Sequence, residues 1–267
     1  MGQQPPHTRE WDAGAYHRLS TPQQSWGKRL LSRLRLRGDE VMMDAGCGSG
    51  QLTRELLQNL PNGVVVGVDL SQNMLSAAQD YLRPEFGSRV RFVAADLQDL
   101  PFHRVFDGIF STAAFHWAPD HARLFRSLFL SLRPGGWLQA QCGGGPNLAE
   151  LHKRMQHLMV SPKYAAFFVN FRSPWVFNDV DTAARLMQQA GFTDVETNVE
   201  PAMTILDGEK AYSDFVRIVI LRTHLQRIPD LSLREAFVDE LTRDAVLDDP
   251  PFSLDYWRLN LSGIVPE

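Results

Sequence analysis

The sequence predicts a doubly wound α/β fold, a mostly parallel sheet with helices packed on both faces. Three observations carry that expectation. Short apolar runs alternate with amphipathic helical runs through the first 142 residues, the pattern of parallel strands joined by right-handed crossovers. A glycine cluster, Gly46-Cys47-Gly48-Ser49-Gly50, stands between the first of those strands and the helix after it. Asp69, Asp96 and Ser111 fall at the ends of later strands, the edge at which such sheets bind ligands.

The elements follow in order. Residues 1–10 are polar and proline-rich, which predicts a frayed tail. Trp26 to Leu36 places Leu30, Leu31 and Leu34 on one side of a helix that Gly38 stops. Val41-Met42-Met43-Asp44-Ala45 is a short apolar strand, and Leu52, Leu56, Leu57 and Leu60 mark the next helix, closed by Pro61-Asn62-Gly63. Val64 to Val68 is the near-continuous apolar run of a strand buried on both faces, and it ends at Asp69. Ser71 is placed to cap a helix carrying Met74, Leu75, Ala78 and Leu82. Further strands are expected at Val90 to Ala95, Phe106 to Ser111 and Trp137 to Cys142, with a helix over 121–132 and a turn at Pro134-Gly135-Gly136. Residues 147–178 read as helical and aromatic, through Phe167, Phe168, Phe171, Trp175 and Phe177. A helix over 180–190 ends at Gly191, Val195 to Val199 forms a strand, 208–227 and 231–246 form helices, and Phe252 to Val265 forms the last strand.

Composition narrows the function. The 267 residues are 44% hydrophobic and 22% charged with a net charge of -4. That is an ordinary globular composition without the broad basic surface that grips nucleic acid. Two cysteines, Cys47 and Cys142, exclude a disulfide framework, and no Cys-x-x-Cys spacing suggests a metal. The first residues lack the apolar core of a signal peptide, Pro6 stands where a myristoylation motif wants Ser or Thr, and no apolar run is long enough to cross a membrane. The expectation is a cytoplasmic protein without nucleic-acid or membrane partners and without a metal; the oligomeric state is left open.

The glycine cluster carries the chemistry. Glycine tolerates positive φ and lets a ligand lie directly on the backbone. Nicotinamide and flavin folds use such loops too, but their fingerprint is Gly-x-Gly-x-x-Gly; here the third glycine comes one place early and Gln51 takes the later position. Asp44, two residues before the first glycine, can attract a cationic or amine-bearing ligand. Asp69 can accept hydrogen bonds from both hydroxyls of a ribose, and Asp96 from an adenine amino group. An Asp after a strand is often only a cap, so a nicotinamide oxidoreductase and a non-catalytic nucleoside-binding protein remain alternatives at this point.

Together, Asp44-Ala45-Gly46-Cys47-Gly48-Ser49-Gly50, Val68-Asp69-Leu70-Ser71, Ala95-Asp96-Leu97 and Leu132-Arg133-Pro134-Gly135-Gly136 resemble the class I S-adenosylmethionine-dependent methyltransferases over roughly residues 40–142. Ala114-Phe115-His116-Trp117-Ala118-Pro119-Asp120-His121 resembles the branch that holds the trans-aconitate and malonyl-carrier-protein O-methyltransferases. The resemblance implies a Rossmann-like, seven-stranded sheet with an antiparallel last strand and S-adenosyl-L-methionine as cofactor. It implies one methyltransferase domain over 1–267, with a helical lid at 11–36, a cofactor half at 40–142 and helical cap insertions at 147–178 and 207–249. The implied cofactor residues are Asp44, Ala45, Gly46, Cys47, Gly48, Gly50, Asp69, Leu70, Met74, Asp96, Leu97 and Ser111, with Tyr16 and Gln24 from the lid. The glycine loop is assigned to the methionine portion, Asp69 to the ribose, and Asp96 and Leu97 to the adenine.

The acceptor is expected to be a small molecule lying near Ser111, Thr112 and His116. His116 is the candidate orienting group or base, and Trp117 a candidate wall. Residues 147–178 hold Lys153, Arg154, Lys163 and Arg172 against Glu150 alone, which points to a cationic lid over an acidic acceptor. Arg172, between Phe171 and Trp175, is the candidate anchor, and Trp175 a candidate lining residue. A carboxylate or hydroxyl oxygen is the expected methylated atom.

Overall fold

The computed structural model describes residues 10, 11, 14 and 21–267. The predicted frayed tail (apart from residue 10) and Tyr16 therefore lie outside the described residues, as does most of the lid ahead of residue 21. The first described helix, α1 (Thr21–Leu31), starts and ends earlier than its leucine pattern predicts. Its last turn tightens through Arg33 N–H to Leu30 O and Leu34 N–H to Leu31 O, and Leu34 and Leu36 then pack on the core from an irregular segment.

Strand and helix then alternate as β1 (Val41–Ala45), α2 (Gln51–Gln58), β2 (Val64–Asp69), α3 (Gln72–Phe86), β3 (Val90–Ala94), β4 (Phe106–Thr112), α4 (His121–Ser131) and β5 (Leu132–Gly143). Ser71 caps α3, its Oγ accepting from Met74 N–H at 3.3 Å. The Pro134-Gly136 turn lies inside β5. Its register with β4 jumps between Phe106 and Gly108, and Gly135 adopts φ 74° while donating to Val265 O at 2.9 Å.

The chain continues through α5 (Ala149–Met159), α6 (Val180–Ala190), β6 (Thr193–Pro201), β7 (Thr204–Ile205), α7 (Gly208–Phe215), a π-helical turn over Val216–Ile220, α8 (Arg222–Leu225), α9 (Leu231–Ala245), β8 (Ser253–Leu254) and β9 (Trp257–Ile264). Two expectations need correction. Residues 147–178 are helical only over α5 and a short 3-10 turn at Ala165–Phe167; Pro162 and Pro174 do not belong in a helix interior, and the aromatics pack from loops. The single last strand is two strands, because β8 leaves the sheet to pair with β7.

The seven-stranded sheet has the order β3-β2-β1-β4-β5-β9-β6, with β9 antiparallel to both neighbours and the other four neighbouring pairs parallel. The fold expected from the sequence is thus observed. Its two faces are buried separately. Met42, Val65 and Phe110 pack with Leu30, Leu56 and Leu57 on one side, while Met43, Ile109, Ala140 and Leu261 pack with Leu124, Phe125 and Met187 on the other. A third apolar cluster unites α5, α7, the π turn and α9 with Trp26, Trp175 and Tyr256, and it sits at the strand end that carries the glycine loop.

Candidate active site

The glycine loop is stitched to the end of β2. Gly46 N–H and Cys47 N–H both donate to Val68 O, at 2.8 and 3.0 Å. Gly46, Gly48 and Gly50 adopt φ 80°, 53° and 84°, a region side chains disfavour. Their surroundings differ. A Cβ at Gly46 would lie 2.2 Å from Ala114 Cβ and one at Gly50 2.8 Å from Leu82 Cδ1, whereas a Cβ at Gly48 would meet nothing within 4 Å. Two glycines are therefore required by packing, and the middle one presents bare backbone to open space. That is the feature a ligand lying across the loop requires.

The acids gather at the same edge. Asp44 is buried and accepts from Thr53 Oγ1 at 2.6 Å. Burial, with Asp69 adding repulsion against the Thr53 hydrogen bond, pushes its carboxyl up to about 7. Asp69 accepts from Gly48 N–H and Ser71 N–H, both at 2.9 Å, and burial raises its carboxyl despite these bonds. Asp96 is exposed at the next strand end and is held by Gln98 N–H at 2.9 Å. Leu70 stands 43% exposed beside Asp69, and Leu97 is half-buried.

Ala45, Cys47, Met74 and Ser111 are buried. The Ser111 hydroxyl donates to Ala45 O at 2.6 Å, so it braces the end of β1, and burial and the two acids push the Cys47 thiol up. Gln24 lines a pocket of about 220 Å³ with Lys28, Gln51, Leu52, Glu55 and Tyr81.

Asp44 makes a testable contribution to stability. Its folded-state carboxyl lies above the unfolded value of 3.8. It therefore contributes stability below about 4 that is lost as pH rises towards 7. Asp44→Asn is expected to raise the melting temperature of the ligand-free protein relative to wild type at pH 8, with the gap narrowing as pH falls below 7 and closing only towards pH 4. A pH-independent gap would refute this account.

Sequence reasoning did not single out Glu10 and Trp11. Glu10 accepts from Ser71 Oγ and Asn73 N–H, each at 3.1 Å, at the start of α3. Trp11 packs edge-on against Trp117 at 5.5 Å, and Arg222 lies 5.3 Å over the Trp11 ring. These contacts bridge the cofactor edge and the cap, and no local pattern announces them.

Opposite the loop, a 3-10 turn at Phe115–Trp117 follows β4. Gly143 N–H donates to His116 Nδ1 at 3.3 Å, and Val176 N–H donates to His116 O at 2.9 Å. His121 is structural. Asn178 Nδ2 donates to its Nδ1 at 2.8 Å, which leaves Nε2 to donate to Phe115 O at 3.0 Å.

An aromatic wall continues from this turn. Trp117 lies 5.8 Å from Trp175, His116 lies 5.8 Å from Phe177, and His152 stacks on Trp175 and Phe177 at 5.2 and 5.5 Å. His224 lies 5.0 Å from Trp175.

The cationic lid looks different in three dimensions. Arg154 pairs with Asp248, and Lys163 pairs with Glu240 at 2.7 Å, both acids coming from the second helical segment. Lys153 and Arg172 are exposed. The buried cation near the turn is instead Arg258, early in β9, 2% exposed, with its guanidinium 4.5 Å over the Trp26 ring. Its sequence signal was an arginine inside the alternating run Trp257-Arg258-Leu259-Asn260-Leu261.

Among the described residues no helix is long and apolar enough to cross a membrane, and no group of three or more His, Cys, Asp or Glu is placed to hold a metal ion.

Residues 42–136 match the methyltransferase domain family. Over 249 residues the chain is 30% identical to trans-aconitate 2-methyltransferase of Methylobacterium radiotolerans, covering 88% of each chain. It is 27% identical over 227 residues to trans-aconitate 2-methyltransferase of Deinococcus radiodurans, covering 82% of this chain and 83% of that one. The solved phosphoethanolamine N-methyltransferase 2 of Haemonchus contortus, in complex with S-adenosyl-L-methionine, matches 96% of this chain with a TM-score of 0.63 at 18% identity; the chain spans 57% of that protein. This last likeness is one of fold.

A glycine loop and strand-end acids on this sheet, with these relatives, define the class: the chain belongs to the class I methyltransferases and is an enzyme that uses S-adenosyl-L-methionine. Within that class it falls in the branch of the trans-aconitate 2-methyltransferases. The oxidoreductase and non-catalytic alternatives find no support.

Proposed function

We propose that the enzyme methylates a carboxylate oxygen of a small acidic molecule. The observation that carries this reading is the orientation of His116. A backbone N–H can only donate, so the bond from Gly143 makes His116 Nδ1 the acceptor and leaves the proton of the neutral ring on Nε2. The ring is then a hydrogen-bond donor and not a proton acceptor. A donor suits an acceptor that arrives already ionised, and a carboxylate is ionised at neutral pH. The activity for which the relatives are named, trans-aconitate 2-methylation, supports the same class.

The cofactor reading rests on the bare Gly48 backbone. The loop Gly46, Gly48 and Gly50 would take the methionine portion, with Asp44 behind it favouring the amine and the sulfonium. Asp69 would hold the ribose, and Leu70, Asp96 and Leu97 the adenine. Ala45, Cys47, Met74 and Ser111 would support these groups from beneath. When bound, S-adenosyl-L-methionine supplies an activated methyl group for in-line displacement. The protein's own contribution is then positioning and exclusion of water. His116 orients the acceptor, Trp117 and Trp175 wall it in, and Arg172 at the exposed rim attracts anions from solution.

This reading takes 1–267 as one methyltransferase domain, with 40–142 as its cofactor half and 147–178 and 207–249 as caps. It works in the cytoplasm on a free small molecule, without nucleic acid or membrane.

The test is incubation with trans-aconitate and a panel of carboxylic acids, alcohols and amines, with products identified by mass. Base-labile methyl esters are expected; an N-methylated amine as the only product would overturn the proposal. With a carboxylate acceptor, kcat/KM is expected to stay flat from pH 7 to pH 9. His116→Gln, which keeps a donor, should retain most activity, and His116→Ala should lose roughly tenfold, the scale of one hydrogen bond to a charged group. A rate that climbs with pH along a single titration, and disappears in His116→Gln, would make His116 a base.

A further inference from the structure

The seven-stranded sheet ends in β3 on one side and in β6 on the other. Among the described residues each of these strands bonds to a single neighbour, β2 and β9 respectively. Each therefore leaves one row of backbone donors and acceptors outside the ladder. Beside β3 lies a cavity of about 540 Å³, lined by Arg83 and Gly87 at the end of α3 and by the successive residues Val90, Arg91 and Phe92. Alternate side chains of a strand point to opposite faces, so a cavity that touches three residues in succession reaches the strand's bare edge.

The two borders carry opposite charge. Arg83 and Arg91 are exposed at the β3 border, whereas β6 carries Asp194, Glu196 and Glu200 and neither lysine nor arginine. Among the described residues none of these five charges has an ion-pair partner. The neighbouring cations are committed. Arg54 pairs with Glu85 at 2.8 Å, and Arg89 donates to Leu60 O at 2.6 Å.

The charges also share a face of the sheet. Gln141, Asn260 and Asn198 stand in line across β5, β9 and β6. Gln141 Nε2 donates to Asn260 Oδ1 at 2.7 Å, and Asn260 Nδ2 donates to Asn198 Oδ1 at 2.9 Å. Residues two apart on a strand share a face, so Glu196 and Glu200 flank Asn198 there, and Trp137 shares it with Gln141. Trp137 packs in the cluster that holds Val90 and Phe92 with Leu82 and Phe86 of α3. The acids of β6 thus lie on the face that α3 covers at the opposite border. Two antiparallel steps through β9 give β6 the direction of β5, and hence of β3. A second copy in the same orientation can set its β6 beside β3 and continue the sheet.

We propose that the chain associates head to tail with further copies of itself, β6 of one copy seated along β3 of the next, with Glu196 and Glu200 in the cavity that Arg83 and Arg91 line. Two different surfaces meet, so each copy keeps one of each free for another; the assembly grows with concentration or closes as a ring. Contacts between like borders are opposed by like charge. One strand's worth of surface is small, so the association is weak and sensitive to salt.

The test is sedimentation velocity of the full-length protein from about 5 to about 200 µM, a range that exposes weak contacts, at roughly 20 and 500 mM sodium chloride. Wild type is expected to pass from monomer to progressively larger species as concentration rises in low salt, and to return to monomer in high salt. Two double variants each block one border: Arg83→Glu with Arg91→Glu at β3, and Glu196→Lys with Glu200→Lys at β6. Each alone is expected to lose association by at least roughly tenfold in dissociation constant while keeping methyl-transfer activity. An equimolar mixture should associate again, because the first variant supplies an intact β6 and the second an intact β3.

Monomer at every concentration in low salt would overturn the proposal and leave the charges as guards that keep each border unpaired. A dimer that gains no further copies would overturn it too, as would undiminished association of either variant alone or a mixture that stays monomeric. Should one variant fail to fold, the wild-type series and the other variant decide the matter.

Discussion

Replacing Asp69 with alanine is expected to weaken S-adenosylhomocysteine binding by roughly 10- to 100-fold, the range for a lost hydrogen bond to a charged group. The carboxylate is positioned in advance by two backbone donors, Gly48 N–H and Ser71 N–H. On the proposed cofactor reading alanine removes a ribose acceptor, and it also releases the middle of the glycine loop. Asp69→Asn separates the two effects: its amide oxygen can keep one backbone bond, so the loop should stay in place while affinity still falls. Calorimetry with the demethylated cofactor reads both variants. Wild-type affinity in Asp69→Ala and Asp69→Asn alike would remove Asp69 from the cofactor site.

The second large effect belongs to Gly46. An alanine there would adopt φ 80°, which costs an L-residue about 1–2 kcal/mol. Its Cβ would also sit 2.2 Å from Ala114 Cβ, and overpacking of that kind costs about 1–3 kcal/mol more. Gly46→Ala should therefore lower the denaturation midpoint and disturb the His116 turn, which begins at Ala114's neighbour, Phe115. Gly48→Ala carries only the backbone cost, because nothing lies within 4 Å of its added carbon. It is expected to fold nearly as well as wild type and to bind cofactor more weakly. Equal midpoints for Gly46→Ala and Gly48→Ala in urea would show that the loop and the Ala114 turn do not press together.

The glycine loop and the strand-end acids were legible because their signals are local. A strand that ends in a glycine bend places its neighbours without help from distant chain, and Asp44, Asp69 and Asp96 occupy three adjacent strand ends as their positions implied. Met74 and Ser111 are both buried, which spacing alone does not tell. The cap was harder to read. Phe168, Phe171 and Trp175 stand at helical spacing, i, i+3 and i+7, yet lie outside every helix of the segment. They are fixed by contacts with His224 and Phe237, about fifty to seventy residues later. Charge counting failed in the lid for the same reason, since Asp248 and Glu240 belong to a later segment. Arg258 was missed because its burial depends on which strand stands next to it.

The seat of β9 between β5 and β6 also has a consequence for biosynthesis. On the seven-stranded sheet β6 bonds only to β9, so a nascent chain that has not yet delivered residues 257–264 from the ribosome holds β5 with a raw edge and β6 with no neighbour at all. Exposed edges of that kind invite pairing with other chains. A stop codon just before Trp257 should therefore yield aggregated product rather than a smaller working enzyme, even though the cofactor-binding strands have all been made.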